Sequence, residues 1–146
     1  MSKVFAIYPI DKSCSTSFLN RINTFETRKL GDIWHCYKVH FSDEDHERCI
    51  QQSKDSHFIF YMGHGGETQL HGACAQYGEM SVDIIAAKEN KDFYNKENFI
   101  DANNINVFKG KIFFCFSCNS NRNSSKSLAR LSRKFGVETF VGFGDI

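Results

Sequence analysis

Two side chains with complementary chemistry follow the two most apolar segments of the chain. His64 lies in "GHGGE", directly after "HFIFYM", and Cys118 lies in "SCNSN", directly after "KIFFCF". A cysteine attacks as its thiolate, and a free thiol with a pKa of about 8.5 is only slightly ionised at neutral pH. A neighbouring imidazole can accept the thiol proton and later deliver it to a leaving amine. The pair therefore predicts nucleophilic catalysis, with Cys118 as the nucleophile and His64 as base and then acid.

Cys115 is the rival candidate for the nucleophile. It falls inside the apolar run, where a thiol behaves as a small inert hydrophobic group. Cys118 instead lies where the run opens into "NSNRNSS". We therefore predict that Cys118 is the reactive thiol. The backbone N–H groups of Gly65 and Cys118 are predicted to stabilise the oxyanion that forms when the thiolate attacks a carbonyl.

The elements that must position these residues alternate between strands and helices. We predict strands at 3–10, 33–41, 57–62, 111–116 and 137–143, helices at 15–25, 42–53, 102–108 and 124–136, and a hairpin within 68–80. The first helix is expected to turn Phe18, Ile22 and Phe25 inward. The second begins with a capping-box pattern of Ser42 and Asp45.

This alternation predicts the fold class. Strands that are apolar on both faces and alternate with helices indicate an α/β fold, with a mostly parallel sheet and helices on both faces. In such sheets, functional residues gather beyond the carboxyl ends of the strands. His64 and Cys118, 54 positions apart, would meet at one sheet edge if their strands are parallel neighbours.

Composition narrows the class of protein. The chain has 146 residues, of which 41% are hydrophobic and 24% charged, which is ordinary for one soluble domain spanning residues 1–146. The net charge of +1 gives no reason to expect nucleic acid. The basic stripe on the last helix is read as a solvated face, and no apolar run is long enough to span a membrane. Without an export signal, the 6 cysteines are expected to be reduced thiols in a cytoplasmic protein.

The cysteines and glycines also match other motifs. His71, Cys74, Cys115 and Cys118 could form a structural zinc site, but metal-binding cysteine pairs sit on tight turns and Cys115 sits in an apolar strand. "CFSC" is a redox spacing, yet the only proline, Pro9, lies well before it. No histidine follows His71, so the hydrolase order of nucleophile then histidine is absent, as are the phosphate-loop patterns. We expect no metal and no cofactor.

Two segments resemble a known family. "FIFYMGHGGETQLHGA" resembles the histidine segment of caspase-like cysteine proteases (clan CD), which has an apolar strand, His-Gly and a short hairpin. "KGKIFFCFSCNSN" and "SLARLSRKFGVETFVGF" resemble their cysteine segment, above all in the CHAT branch related to separase. That branch has a small residue, Cys, Ser two positions on, a helix and a Gly-rich strand. The matching positions are Ser117, Cys118, Ser120, Leu128-Ala129 and Val141-Gly142.

The resemblance covers roughly residues 55–146 and implies a three-layer caspase-hemoglobinase fold with a His64–Cys118 dyad. It implies cleavage of a protein or peptide substrate, with Gly65 and Ser117 in the oxyanion and substrate-binding region. Asp145, near where some relatives place an acidic S1 residue, would favour a basic P1. A regulatory sensor or activating partner is expected, because related proteases are often kept inactive until their loops rearrange, and a role in cell-death or defence signalling is the corresponding expectation.

Two departures from the family pattern bear on these expectations. The family domain usually continues past the position of Ile146, so the domain is expected to be incomplete at its C-terminus. Ser117 also stands where relatives often have Ala. The alternative function is therefore a non-catalytic caspase-like interaction or sensor module. Reactivity of Cys118 above the other 5 thiols discriminates the two.

Overall fold

The computed structural model describes residues 3–10, 19–40, 42–73 and 98–144. Within these ranges the chain forms β1 (Val4–Pro9), α1 (Leu19–Leu30), β2 (Trp34–Val39), α2 (Asp43–Ser53), β3 (Phe58–Met62), β4 (Leu70–His71), β5 (Asn98–Ile100), β6 (Ile112–Phe116), α3 (Leu128–Lys134) and β7 (Thr139–Val141). Short 3-10 helices occupy Gly31–Ile33 and Ile105–Phe108. Of the helices in the described ranges, none has the length and apolarity that a membrane crossing requires.

Five strands form one parallel sheet. Their order is β2-β1-β3-β6-β7, and every neighbouring pair is parallel. β4 and β5 pair separately as a two-stranded antiparallel sheet. The predicted α/β class with a mostly parallel sheet is therefore confirmed, and β3 and β6, the strands that precede His64 and Cys118, are direct neighbours.

Each face of the sheet is covered by helices. Successive side chains of a strand point to opposite faces. On β3, Tyr61 belongs to a core cluster that also contains Cys49 of α2 and Leu128 of α3. Met62, the next residue, belongs to a second cluster that contains Leu19 of α1. The arrangement is compatible with three layers, and it explains why the central strands are apolar on both faces.

The N-terminus of α2 is tied to the end of β2. Ser42 forms its half of the predicted capping box, since its hydroxyl accepts a hydrogen bond from the Asp45 amide at 3.1 Å. The Asp45 carboxylate accepts bonds from the Tyr37 hydroxyl at 2.6 Å and from the His40 amide at 2.7 Å. Burial, together with the bond to Asp45, raises the pKa of Tyr37 to about 12. This network fixes the direction in which the chain leaves β2.

The prediction for α1 is partly wrong. The described helix runs Leu19–Leu30 rather than 15–25, and Phe18 and its neighbours in 11–18 lie outside the described residues. Phe25, expected to face inward, is 56% exposed. The buried stripe passes instead through Leu19, Ile22 and Leu30, which recur at helical spacing, and Phe25 lies off that stripe.

The hairpin predicted within 68–80 is also different. Leu70 and His71 pair with Asn98–Ile100, and Leu70 additionally bridges back to Gly65. Residues 74–80 lie outside the described ranges. Pairing with a segment distant in sequence is decided by packing of Leu70 and Ile100 into the same core, which no local pattern reveals. The remaining strands and helices form within a few residues of their predicted positions, with the 102–108 helix reduced to its 3-10 part.

Candidate catalytic site at the ends of β3 and β6

The register between β3 and β6 places His64 and Cys118 at equivalent positions. Each β3 residue pairs with the β6 residue 54 positions later, from Phe58 with Ile112 to Met62 with Phe116. The Gly63 amide continues the ladder by donating to the Phe116 carbonyl at 3.2 Å. His64 and Cys118 are separated by the same 54 positions, so each follows its strand by two residues at an equivalent point. Both side chains are half-buried.

The loops that carry the two residues are in contact. A methyl group on Gly65 would lie 2.7 Å from Ser117 Oγ and 2.9 Å from Ser117 Cβ. Only a residue without a side chain permits this approach. Ser117 is 2% exposed and its hydroxyl also lies 3.2 Å from Cys115 Sγ. The Ser117 side chain therefore fills the space between the His64 and Cys118 loops instead of facing solvent.

The His64 loop is a tight hairpin. The His71 amide donates to the His64 carbonyl at 3.0 Å, and the Gly66 amide donates to the Gln69 carbonyl at 2.8 Å. Gly65 and Leu70 between them form a non-hydrogen-bonded antiparallel pair. In such a pair the N–H groups point away from the partner strand. The Gly65 N–H is thus directed away from Leu70 and out of the hairpin.

The hairpin is anchored on its two sides. From the sheet, the fully buried Tyr61 hydroxyl reaches the carbonyls of His64 and His71 at 2.7 and 2.6 Å. From the helix layer, the first amide of α3, that of Leu128, donates to the Glu67 carbonyl at 2.8 Å. The loop that presents His64 is therefore fixed to both elements that surround it.

The Cys118 loop is fixed to the segment after β7. The amides of Asn119 and Asn121 donate to the carbonyls of Gly144 and Phe143 at 2.8 and 3.0 Å. Asn119 has a φ of 58°, a left-handed conformation that asparagine tolerates better than most residues. Cys118 is thus carried by a sharp turn directly after a parallel strand.

The Ser120 hydroxyl stabilises this turn by hydrogen bonds to backbone groups on both sides of it. Its fully buried hydroxyl accepts from the Phe143 amide at 2.9 Å and lies 3.1 Å from the Ser117 carbonyl, to which it can donate. The two chain segments are packed closely there, because a methyl group on Gly142 would lie 2.8 Å from Ser120 Oγ. The position of Cys118 therefore depends on the residues that follow β7.

The other described cysteines are poor nucleophiles. Burial raises the pKa of Cys115 to about 12, and this thiol is 0% exposed, as predicted from its place in the apolar strand. Burial also raises the pKa of Cys36 to about 11 and that of Cys49 further. Cys36 is half-buried like Cys118, which makes it a useful internal comparison.

Some of the predicted site residues lie outside the described ranges. Asp145 lies outside the described residues, and so does Cys74 of the zinc alternative. The structure brings Gly65 and Ser117 into direct contact and sets His64 and Cys118 beside them.

Two surface grooves lined by described residues lie away from this site. One of about 780 Å³ lies between α2 and β5, and its described lining includes Glu47, Asn98 and Phe99. Another of about 440 Å³ lies beside α3, lined in part by Thr68 and Lys134. Neither described lining includes His64 or Cys118. We assign the site by the pairing of a thiol with an imidazole, because His46 lines the first groove but neither described lining includes a cysteine.

Sequence reasoning did not assign roles to the Tyr61 and Ser120 hydroxyls. A signal for Tyr61 was available, because a tyrosine inside a strand of Phe, Ile and Met must find a hydrogen-bond partner for its hydroxyl. Ser120 was marked only by the resemblance, as the Ser two positions after Cys118, and that match gave it no structural role. Comparison of the chain with protein-family models, curated proteins and solved structures finds no match.

Proposed function

We propose that this chain is a cysteine endopeptidase domain of the caspase-like, CHAT type, with Cys118 as nucleophile and His64 as general base and acid. The observation that carries the proposal is the parallel pairing of β3 with β6 at an offset of 54 positions, which supports a meeting of the imidazole and the thiol at one sheet edge. The strand order and the helices on both faces are compatible with the caspase-hemoglobinase fold that the resemblance implies.

The proposed reaction proceeds by acyl transfer. His64 takes the thiol proton, and the Cys118 thiolate attacks the carbonyl carbon of a peptide bond. The Gly65 and Cys118 N–H groups stabilise the negative charge that develops on the carbonyl oxygen. The imidazolium then protonates the leaving amine, and water, activated by the neutral imidazole, hydrolyses the thioester and restores the thiol.

Substrate, activation and location are part of the same proposal. The substrate is a protein or peptide, and a sensor or partner protein regulates the site in the cytoplasm. The contacts of the Cys118 turn with Phe143 and Gly144 support regulation, because a change in that segment would move the nucleophile.

The first test compares thiol alkylation rates across pH 5 to 9 in the wild type and in His64→Ala, with each modified cysteine located by peptide mapping. Cys118 should react fastest near neutral pH and lose roughly tenfold or more in rate without His64, because its thiolate is then no longer favoured. Cys36 is the internal control, since it is half-buried yet has a pKa raised to about 11.

Cleavage of a peptide library completes the test. Cys118→Ala should abolish cleavage while circular dichroism stays unchanged, and Cys36→Ala should retain cleavage. Survival of cleavage in folded Cys118→Ala would show that the assignment is wrong. Equal alkylation of Cys118 and Cys36 in the wild type, with no cleavage, would favour the non-catalytic interaction module instead.

A further inference from the structure

We propose that Tyr61 is a positioning residue for the His64–Cys118 dyad, acting through the backbone of the His64 loop; the inference rests on the proposed function. Tyr61 lies on β3 and is 0% exposed, so its hydroxyl cannot touch a substrate. The hydroxyl lies 2.7 Å from the His64 carbonyl and 2.6 Å from the His71 carbonyl. It therefore contacts the first and last residues of the loop that presents the imidazole.

The hydroxyl closes the base of this loop. The His64 carbonyl already accepts the His71 amide at 3.0 Å, so the Tyr61 hydroxyl engages the second lone pair of the same oxygen. A phenol has one proton, which it shares between the two carbonyls. Without it, both carbonyl oxygens would lose a donor, which is costly above all for the buried His71 carbonyl. The loop would then keep its bonds to Phe116 and Leu128 but lose the hydroxyl that fixes its base, and it could shift relative to β6.

A shift of this loop would change the position of the His64 imidazole relative to the Cys118 thiol. Gly65 rests on Ser117, directly before Cys118, so the His64 loop and the Cys118 loop are held face to face by a van der Waals contact. An imidazole shares a proton with a thiol only within hydrogen-bond reach. His64 follows Tyr61 by three residues, and its carbonyl is bound by the Tyr61 hydroxyl. The phenol therefore fixes the backbone position from which the imidazole extends.

Gly63 offers an independent way to disturb the same hydroxyl. A methyl group on Gly63 would lie 2.7 Å from Tyr61 Oη, 3.1 Å from Tyr61 Cζ and 3.4 Å from Pro9 Cδ. The position of the Tyr61 phenol therefore requires a residue without a side chain at Gly63. Gly63→Ala should displace the ring and its hydroxyl without removing the hydroxyl from the protein.

The test measures the pH profile of Cys118 alkylation in the wild type, Tyr61→Phe, Gly63→Ala and His64→Ala. Tyr61→Phe keeps the ring and should slow Cys118 at pH 7 by about fivefold, the equivalent of one buried hydrogen bond of about 1 kcal/mol. Its profile should move towards that of His64→Ala, and Gly63→Ala should change in the same direction.

Tyr37→Phe is the matched control. It removes another hydrogen-bonded hydroxyl from the same sheet, the one bound to Asp45 at 2.6 Å on the edge strand β2. It should lower the unfolding midpoint yet leave the Cys118 pH profile unchanged, because a general loss of stability does not alter proton sharing in the folded state. All rates are compared at temperatures where circular dichroism shows every variant folded.

The outcomes separate this inference from the function it rests on. If His64→Ala slows Cys118 and both Tyr61→Phe and Gly63→Ala follow the wild-type profile, the positioning role is wrong and the dyad stands. If Tyr37→Phe shifts the profile as much as Tyr61→Phe does, the effect is one of general stability and the inference also fails. If the wild type and His64→Ala coincide, there is no dyad to position, and both proposals fall together.

Discussion

At the scale of single residues, two buried hydroxyl groups hold the loops of the candidate site in place. Tyr61 and Ser120 are both fully buried, and each hydroxyl contacts backbone groups next to one member of the proposed dyad. A buried polar group stabilises a structure only when it is hydrogen-bonded. Ser132 provides the contrast, because its buried hydroxyl has no hydrogen-bond partner within the described part of the chain.

We predict opposite effects for two serine-to-alanine substitutions that are matched in burial, both serines being 0% exposed. Ser120→Ala should lower the free energy of unfolding by about 1–3 kcal/mol, since the Phe143 amide loses its acceptor at 2.9 Å. Ser132→Ala should be neutral or slightly stabilising, because it removes an unsatisfied hydroxyl. Urea denaturation of both variants and the wild type measures the difference. Equal losses in the two variants would contradict the role given to Ser120.

At the scale of elements, a buried histidine joins α2 to β4. His46 Nδ1 donates to the Ser42 carbonyl at 2.7 Å, and Nε2 accepts from the Ala73 amide at 3.0 Å. Accepting that bond requires a neutral ring. The imidazole also packs on Phe99 of β5, with centroids 4.7 Å apart. The start of α2 and the β4–β5 ribbon are thus held together by an uncharged side chain.

This link predicts a specific dependence of stability on pH. Burial lowers the pKa of His46 from 6.5 to about 4. Below pH 6.5, His46 therefore binds a proton in the unfolded chain but stays neutral in the folded chain, and the free energy of unfolding falls. The contribution of neutral His46 to the free energy of unfolding is complete above pH 6.5 and is lost as the pH approaches 4. It amounts to about 3 kcal/mol for a shift of this size.

The measurement is chemical denaturation at pH 7, 5.5 and 4 for the wild type and for His46→Gln, whose side chain does not titrate. Other groups contribute to both proteins, so the difference in slope isolates His46. The variant should be less stable at pH 7 but lose less stability on acidification. Parallel curves for the two proteins would mean that His46 titrates equally in the folded and unfolded chains.

At the scale of the whole molecule, the sheet has a strongly bonded centre and two edges. β1, β3 and β6 have a parallel partner on each side, whereas β2 and β7 each have one partner among the described strands. The three aromatic rings of Phe108, Phe113 and Phe140 stack in series, with centroids 4.8 and 5.7 Å apart, and connect the centre to β7. β7 contributes only three residues to the sheet.

Amide hydrogen exchange should follow this arrangement. The amides of β1, β3 and β6 should exchange slowest, those of β2 faster, and those of β7 fastest of the five strands, because edge strands open without unfolding the centre. Mass spectrometry of exchanged peptides resolves the strands. Protection of β7 equal to that of β3 would mean that a further strand or a second copy of the chain covers this edge.

Most of the fold was predictable from local patterns. Five strands, their alternation with helices and the Ser42 cap follow from hydrophobic periodicity and capping chemistry, which act within a few residues. The choice of Cys118 over Cys115 follows from the same patterns, and the burial of Cys115 agrees with it. The inward position of Phe25 was predicted wrongly, because several apolar stripes fit one short helix and only docking on the sheet selects among them.

By itself, the sequence determined the types and ends of the main elements, and hence that an imidazole and a thiol each follow a buried strand. Only the tertiary structure decided that β3 and β6 are neighbours with a register of 54 positions. It also decided that Leu70 pairs with Ile100 and that buried hydroxyls hold both loops. The physical reason is range: periodicity and capping act between near neighbours, whereas strand pairing and buried hydrogen bonds depend on which distant surfaces pack together.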